Sequence, residues 1–511
     1  MDARPSASAS PRVLLLAIGA LTTLDFLQNG MVAFAALPIM GEIGASPEEY
    51  STVAAAYASV AVVMIALQRW MVERIGWRDY ARLALAAAAG GAVVCAHAEN
   101  HAAFLVGRMV MALGCAGMVT SSRLAVNLIP PGPARFRGIV ALATGVCGGM
   151  ALAPWLASII VTADRWPLIF WVVAALALAM LPACEALPAV RAEPARRSAA
   201  HPLRLASLAT GSFLLLYVLQ RSYYDFYSNR LWLVAGAVVG AVGLLAFVWL
   251  EAGSARPLLR LRSMVERRYL SGLALFTFCY ITLGANGYLL PVMLQRSLGH
   301  SWAATGHLYA LGLAAGVVTW LTMSRLLPRW PSPRKYFVGG FLALAASAWL
   351  ISRLPPAPDP WLHVLPPLAL YGVFIMTLIP VTAMQTFHGM AHDESVFSNA
   401  QQTKNMLGQL GMALGVTIAT VGQQWLTTAH YGLLHGAVRA GSPNFQEAHA
   451  RYTAVFSASV DPARAAELAT AQIAQVLAQQ AALLANLEHF RALAVVAVVA
   501  IGVSLYQRTM R

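Results

Sequence analysis

Residues 12–40 read RVLLLAIGALTTLDFLQNGMVAFAALPIM, and between Val13 and Met40 the only charge is Asp25. A helix rises about 1.5 Å per residue, so roughly 20 apolar residues cross a hydrocarbon core. The stretch is long enough to span, with a carboxylate near its middle. An unpaired carboxylate there costs about 2.5–3.5 kcal/mol on insertion scales, so it should face a bundle interior or a water-filled cavity. Withdrawal from water would also favour its protonated form. Asp25 is therefore a candidate proton-coupling or cation-reading site. The alternative is a carboxylate that only bonds neighbouring helices.

The rest of the chain has the same character. It has 511 residues, 59% hydrophobic and 11% charged, which no soluble domain needs. Five cysteines (Cys95, Cys115, Cys147, Cys184, Cys279) lie in or beside apolar segments without CxxC spacing, which argues against disulfides and a zinc site. The net charge of +14 could suggest nucleic acid, but the arginines fall in short loops between apolar spans, where they set orientation. No nucleic-acid partner is expected. The first apolar run is too long for a cleavable signal peptide.

Apolar spans are expected near 12–38, 48–68, 80–98, 102–128, 136–162, 166–184, 204–222, 229–250, 269–293, 303–325, 334–353, 361–385, 401–424 and 489–507. That makes an all-α polytopic membrane protein of about fourteen helices. Basic residues follow every second span. Arg69, Arg74, Arg78 and Arg82 follow the second, Arg135 and Arg137 the fourth, Arg191, Arg196, Arg197 and Arg204 the sixth. Arg256, Arg260, Arg262, Arg267 and Arg268 follow the eighth, and Arg325, Arg329, Arg334 and Lys335 the tenth. The other connections carry few. The positive-inside rule then puts both termini and these loops in the cytoplasm.

Two segments lie outside the spans. Ala186 to Pro202 is basic and rich in Pro and Ala, and reads as a cytoplasmic linker. The stretch 425–488 lies on the opposite face and is far longer than any other outer loop. Asp461-Pro462 is a helix-start signal, and Leu468, Ile473, Val476, Leu477, Leu483, Leu484 and Leu487 suggest an apolar stripe after it. It is either an inert stalk into the last span or a docking surface for an envelope partner.

Several motifs carry a resemblance. Arg69-Trp-Met-Val-Glu73-Arg74-Ile-Gly76-Trp-Arg78 is similar to the loop G-x-x-x-D-R-x-G-R-R/K, with Arg69 at its first glycine. Gly107-Arg108-Met-Val-Met111-Ala-Leu-Gly114 is similar to R-x-x-Q-G-x-G, with Met111 at the glutamine. Ala153-Pro154-Trp155-Leu-Ala157-Ser158, followed by Trp166, resembles G-P-x-x-G-G and W-x-W-I-F. Trp249-Leu-Glu251 with Pro257-Leu258 resembles W-E and P-L-x-x-L, Tyr288-Leu-Leu-Pro291 resembles Y-x-L-P, and Gly408-Gln409-Leu410-Gly411 resembles R-Q-L-G. Together these resemble the major facilitator superfamily and, within it, the fourteen-span drug:proton antiporter (EmrB-like) family. The departures mark a divergent member.

The resemblance implies two six-helix bundles, 1–185 and 269–511, with a linker and two inserted helices in 186–268. It implies no enzyme and no cofactor, with a proton gradient as energy source. The activity would be proton-driven efflux of amphiphilic small molecules or drugs, cationic or weakly acidic, across a bacterial inner membrane by alternating access. The segment 425–488 could meet a periplasmic adaptor that leads to an outer-membrane channel. An importer on the same fold, or a membrane-embedded receptor or enzyme, is the alternative.

Site residues follow from the motifs and the physics. Arg108, inside a span, needs a partner or water, and a carboxylate such as Asp25 is the expected partner. The family's span-1 aspartate falls on Asn29, one turn beyond Asp25, on the same face. The cavity is expected to involve Gln28, Asn29, Met111, Pro154, Asn286, Gln402, Asn405 and Gln409. Gln401, Gln402, Asn405 and Gln409 form a polar stripe that either lines a pathway or bonds across helices. Gly284, Asn286 and Gly287 before Pro291 read as a local helix break. Glu73, Arg74, Gly76 and Arg78 form an expected electrostatic latch between bundles; ordinary positive-inside charge is the plainer alternative. His388, His392, Asp393 and Glu394, and separately His430 and His435, have weak metal-ligand spacing; no metal is expected.

Overall fold

The computed structural model describes residues 11–507 and 509, apart from 131, 188, 190, 195–196, 391–392 and 439–440. Arg196 and His392, both singled out above, lie outside the described residues. The helices are α1 (Pro11–Phe34), α2 (Ala36–Glu42), α3 (Pro47–Ile75), α4 (Trp77–Ala96), α5 (His101–Cys115), α6 (Met118–Leu128), α7 (Pro133–Thr162), α8 (Pro167–Ala179), α9 (Pro202–Asp225) and α10 (Arg230–Ala252). They continue as α11 (Arg267–Val292), α12 (Trp302–Leu326), α13 (Pro333–Ile351), α14 (Leu365–Thr386), α15 (Glu394–Ala437), α16 (Pro443–Phe456) and α17 (Pro462–Tyr506).

Among the described residues, 13 helices are long and apolar enough to cross a membrane. The remaining expected span, 334–353, is the helix α13, which opens on Arg334 and Lys335 and packs between α14 and α17. The fold is all-α and polytopic, as the hydropathy pattern requires.

Local chemistry sets the ends. Ser46 and Glu49 form a reciprocal capping box at the start of α3. The side chains of Asp393 and Asp461 accept amide hydrogens at the starts of α15 and α17. Gly76 separates α3 from α4 at φ 88°, a left-handed value that a side chain resists. A Cβ there would also lie 2.9 Å from the carbonyl oxygen of Ala189.

Three expectations are corrected. The first and fourth spans are each two helices: α1 gives way to α2 before Pro38, which has no N–H to offer Phe34, and α5 gives way to α6 at Ala116-Gly117. No break occurs at Gly284, Asn286 or Gly287, since α11 runs through them and the disturbance is a π-turn at Met293–Ser297, just after Pro291. Of the expected apolar stripe, Ile473, Leu483 and Leu487 are buried but Leu468 is exposed, and the buried edge before Ile473 runs through Ala465 and Ala469.

Small residues decide the closest packing. α7 lies between α1 and α12. A Cβ on Gly149 would lie 2.7 Å from the carbonyl oxygen of Thr23, and one on Gly306 would lie 2.7 Å from that of Pro154. α3 and α15 also pack together, and both touch α9. α10 packs mainly on α9 and leaves most of its apolar surface exposed, as a lipid-facing helix must. α15 and α17, with 44 and 45 residues, reach about 66 Å each, roughly twice the hydrocarbon thickness.

Candidate functional site

Asp25 faces the protein. Its charge reaches Tyr57 on α3, Cys115 on α5 and Tyr280 on α11. Asn29, one turn on, donates to Asp25 Oδ1 at 3.3 Å and to its carbonyl oxygen at 3.1 Å. The residue four places away thus serves the carboxylate directly.

Arg108 does not pair with Asp25, and among the described residues no ion pair joins them. Its Nη1 donates to Gln28 Oε1 at 3.2 Å, and the guanidinium lies 4.1 Å from the Tyr57 ring centroid. Gln28 Nε2 in turn donates to the Tyr57 hydroxyl at 2.7 Å. Gln28 is fully buried and sits one turn from Asp25, so it stands where the carboxylate was expected. The neutral amide gives Arg108 a dipole, and among the described residues neither charge has an ion-pair partner. Met111 is also fully buried, with its sulfur 3.7 Å from Arg108 Nη1.

A second polar group lies on α6, α11 and α15. Asn405 Nδ2 donates to the Thr120 hydroxyl at 2.7 Å, joining α15 to α6. Gln409 lies one turn further along and is partly exposed. Lys404 Nζ lies 5.1 Å from the Phe276 ring centroid and 5.9 Å from that of Tyr280. Arg123 on α6 is close enough to repel it. Neither cation stood out in the sequence, although a lone Lys inside 401–424 and a second Arg, beside Arg108, inside 102–128 are the signal for an intramembrane site.

The other expected cavity residues sit elsewhere. Gln402 is fully buried; its Nε2 donates to the Ile65 carbonyl on α3 at 2.7 Å, and its Oε1 accepts from Asn399. It joins helices rather than lining a pathway. Pro154 is buried where α7 meets Gly306 of α12. Asn286 is buried among α11, α12 and α14, and faces Tyr371 rather than the group around Asp25.

The latch is built differently from the motif. Glu73 Oε1 accepts from Arg69 Nε at 2.8 Å, and Oε2 accepts from the amide and hydroxyl of Ser198, both at 2.6 Å. Arg69 Nη1 crosses to α15, donating to the Ser395 carbonyl at 3.0 Å and Asn399 Oδ1 at 3.1 Å. Arg74 turns back to the Trp70 carbonyl at 2.8 Å and to Ser198 at 3.0 Å. Arg78 holds Leu187 and Glu185. The crossing cation is therefore Arg69, while Arg74 and Arg78 fasten the linker. A cavity of about 990 Å³ opens beside this latch, lined in part by Arg69, Glu73, Arg256 and Arg260; none of the residues around Asp25 or Lys404 lines it.

Glu251 explains the motif after α10. It is 1% exposed, and its Oε1 accepts from the amides of Leu258 and Leu259 while Oε2 lies 3.4 Å from Arg204. It caps the loop that Asn399 also holds.

The sequence profile described as Major Facilitator Superfamily matches residues 18–416, which contain every residue of the group above. The chain belongs to the Major Facilitator Superfamily. It is 26% identical over 411 residues to a putative multidrug resistance protein MdtD of Klebsiella pneumoniae, covering 80% of this chain and 84% of that protein. It is 22% identical over 451 residues to the uncharacterized MFS-type transporter YhcA of Bacillus subtilis, covering 86% and 81%. The human organic anion transporter MFSD10 superposes with a TM-score of 0.58 at 14% identity, covering 97% of this chain and all of that one, and shares the fold.

As a Major Facilitator Superfamily member the chain is a multi-pass membrane transport protein and not an enzyme. Among the described residues, no group of three or more His, Cys, Asp or Glu could hold a metal. In the segment 388–394, His388 is exposed and Asp393 is the cap of α15. His430 lies 3.3 Å from Glu488.

Proposed function

We propose that this superfamily member is a proton-driven efflux antiporter of amphiphilic small molecules, working by alternating access between two six-helix bundles. The bundles would be 1–185 and 269–511, with the linker and α9–α10 contributed by 186–268. One observation supports the reading: Asp25 lies inside a span, on α1, which packs against α11 of the proposed second bundle. A carboxylate held there without a counter-ion can exchange a proton with a vestibule as the halves tilt.

In the proposed cycle the latch at Arg69 closes the arginine-rich end while the vestibule is open at the other. A proton enters and neutralises Asp25, which changes its bond to Asn29. The vestibule then reopens toward the arginine-rich end and takes substrate, and binding there drives the proton off. The membrane potential supplies about 2.3 kcal/mol per charge per 100 mV. Loop charge supports placing both termini and the arginine-rich end in the cytoplasm of a bacterial inner membrane. The long outer parts of α15 and α17, with α16, form a surface suited to a periplasmic adaptor.

The test is flux in proteoliposomes with an imposed pH gradient. The proposal expects substrate movement against the proton flow in wild type and none coupled to the gradient in Asp25→Asn. Movement in the same direction as the proton would instead make the chain an importer.

A further inference from the structure

We infer that Arg123 and Lys404 form the receptor for the anionic group of an amphiphilic substrate, whose apolar body lies on Phe276 and Tyr280. The inference rests on the transport reading above and specifies the charge of its cargo.

Lys404 is 7% exposed, so its ammonium is largely withdrawn from bulk water. Among the described residues it has no hydrogen bond and no ion pair; its contacts are the faces of two aromatic rings. Arg123, from α6, lies close enough to repel it, and likewise makes no ion pair or hydrogen bond among the described residues. A buried cation is stable only when paired or solvated. Lys404 is buried and Arg123 half-buried, on helices that the Asn405–Thr120 bond holds together, so each raises the other's cost, and the missing partner is an anion. The bend at Ala116-Gly117, held where Gln68 donates to the Gly117 carbonyl at 2.9 Å, begins the helix that carries Arg123.

The walls fix the rest of the ligand. Phe276 and Tyr280 stack at 6.3 Å between centroids beside Lys404; Phe276 is buried and Tyr280 half-buried. A carboxylate, sulfonate or phosphate on an aromatic or alicyclic body fits these groups; a quaternary amine does not.

The experiment compares two permanently charged isosteres, tritiated 2-naphthalenesulfonate and (2-naphthyl)trimethylammonium, for saturable binding to the full chain in phosphatidylcholine nanodiscs, with empty discs as the blank. The sulfonate should bind and the ammonium should not. Lys404→Met and Arg123→Met should each weaken sulfonate binding by about tenfold, the loss expected for one charged hydrogen bond, with Lys404→Arg restoring most of it. Tighter binding of the ammonium by wild type overturns the inference, and this arm needs no variant to fold. Unchanged sulfonate binding in both Met variants, each checked by gel filtration, also overturns it. Flux separates the two readings. If a pH gradient drives the ammonium and the sulfonate does not bind, antiport stands and the anion site falls. If the sulfonate binds through Lys404 and no gradient drives either probe, the anion site stands and antiport falls.

Discussion

Arg69 Nη1 on α3 donates to Asn399 Oδ1 on α15 across 3.1 Å. The same oxygen accepts from the Arg260 amide at 3.1 Å, while Asn399 Nδ2 donates to the Leu258 carbonyl at 3.3 Å and to Gln402 Oε1 at 2.7 Å. One fully buried asparagine therefore gathers α3, the loop after α10 and α15. Arg69 is aimed at it by Glu73, and Glu73 by Ser198 of the linker. The arrangement is a chain of orienting bonds that ends in one crossing contact.

Breaking that contact should loosen the arginine-rich end. Arg69→Gln removes a charge-assisted bond of about 1.5–3 kcal/mol and should favour the state open at that end by about tenfold or more. The five native cysteines are buried, so a Ser398→Cys reporter in the cleft beside the latch can be read alone. Its labelling by a membrane-impermeant maleimide should rise several-fold in Arg69→Gln, and much less in Arg78→Gln, whose bonds go to the linker. Equal rises in both variants would show that the latch is not specific to Arg69.

Asp25→Asn preserves shape and the bond to Asn29 while removing the titrating proton. Substrate exchange down its own gradient should persist in proteoliposomes, with acceleration by a pH gradient lost. Loss of both would make Asp25 a structural or binding residue instead. Gln28→Leu is the companion: it leaves buried Arg108 without its acceptor, and orphaning a buried charge costs about 3–5 kcal/mol, so this variant should lose stability as well as flux.

The seams on either side of α7 predict a stability effect of known sign. A Cβ on Gly145 would meet the Gly19 carbonyl oxygen, a backbone atom that cannot rotate away. Gly145→Val should therefore cost about 1–3 kcal/mol by overpacking and lower the melting temperature in detergent. Gly148, with nothing within 4 Å of its would-be Cβ, is the control and should tolerate Ala. Ala is the better helix former, so a fall for Gly148→Ala as large as that for Gly145→Val would mean that close approach at the seam does not decide which positions of α7 tolerate a side chain.

The spans were legible because lipid imposes one requirement, length in apolar residues, that hydropathy reads directly. Pairing was not legible. Gln28 and Asp25 share a helix only a turn apart, and sequence order could not say which of them Arg108 would meet. Arg69 was passed over because the motif has glycine there, although its spacing from Glu73 already permits an ion pair across one helical turn. Gln402 and Lys404 differ by two positions, which is about 200° around a helix, so the stripe of Gln401, Gln402, Asn405 and Gln409 did not point to the lysine. The bend at Gly117 depends on Gln68 from α3, a contact no local pattern announces.

The outer part of α15–α17 gives the last prediction. α16 has no buried side chain, and it is held to α17 partly through His449, whose Nε2 lies 3.1 Å from the Ala466 carbonyl oxygen. The spans below do not depend on it: Gln423 on α15 donates to Asn486 Oδ1 on α17 at 2.9 Å, and Asn486 donates to the Ser297 hydroxyl at 3.4 Å, tying the two long helices together at the membrane's edge. Replacing residues 443–456 with a Gly/Ser linker of equal length should therefore leave the melting temperature within about 2 °C, as for other surface changes. Flux in proteoliposomes should also be unchanged. If the protrusion docks an adaptor, efflux from intact cells, measured with a substrate established in proteoliposomes, should fall several-fold in the same variant. Efflux from cells at the wild-type level would remove the adaptor from the proposal and leave α16 as an inert cover on α17.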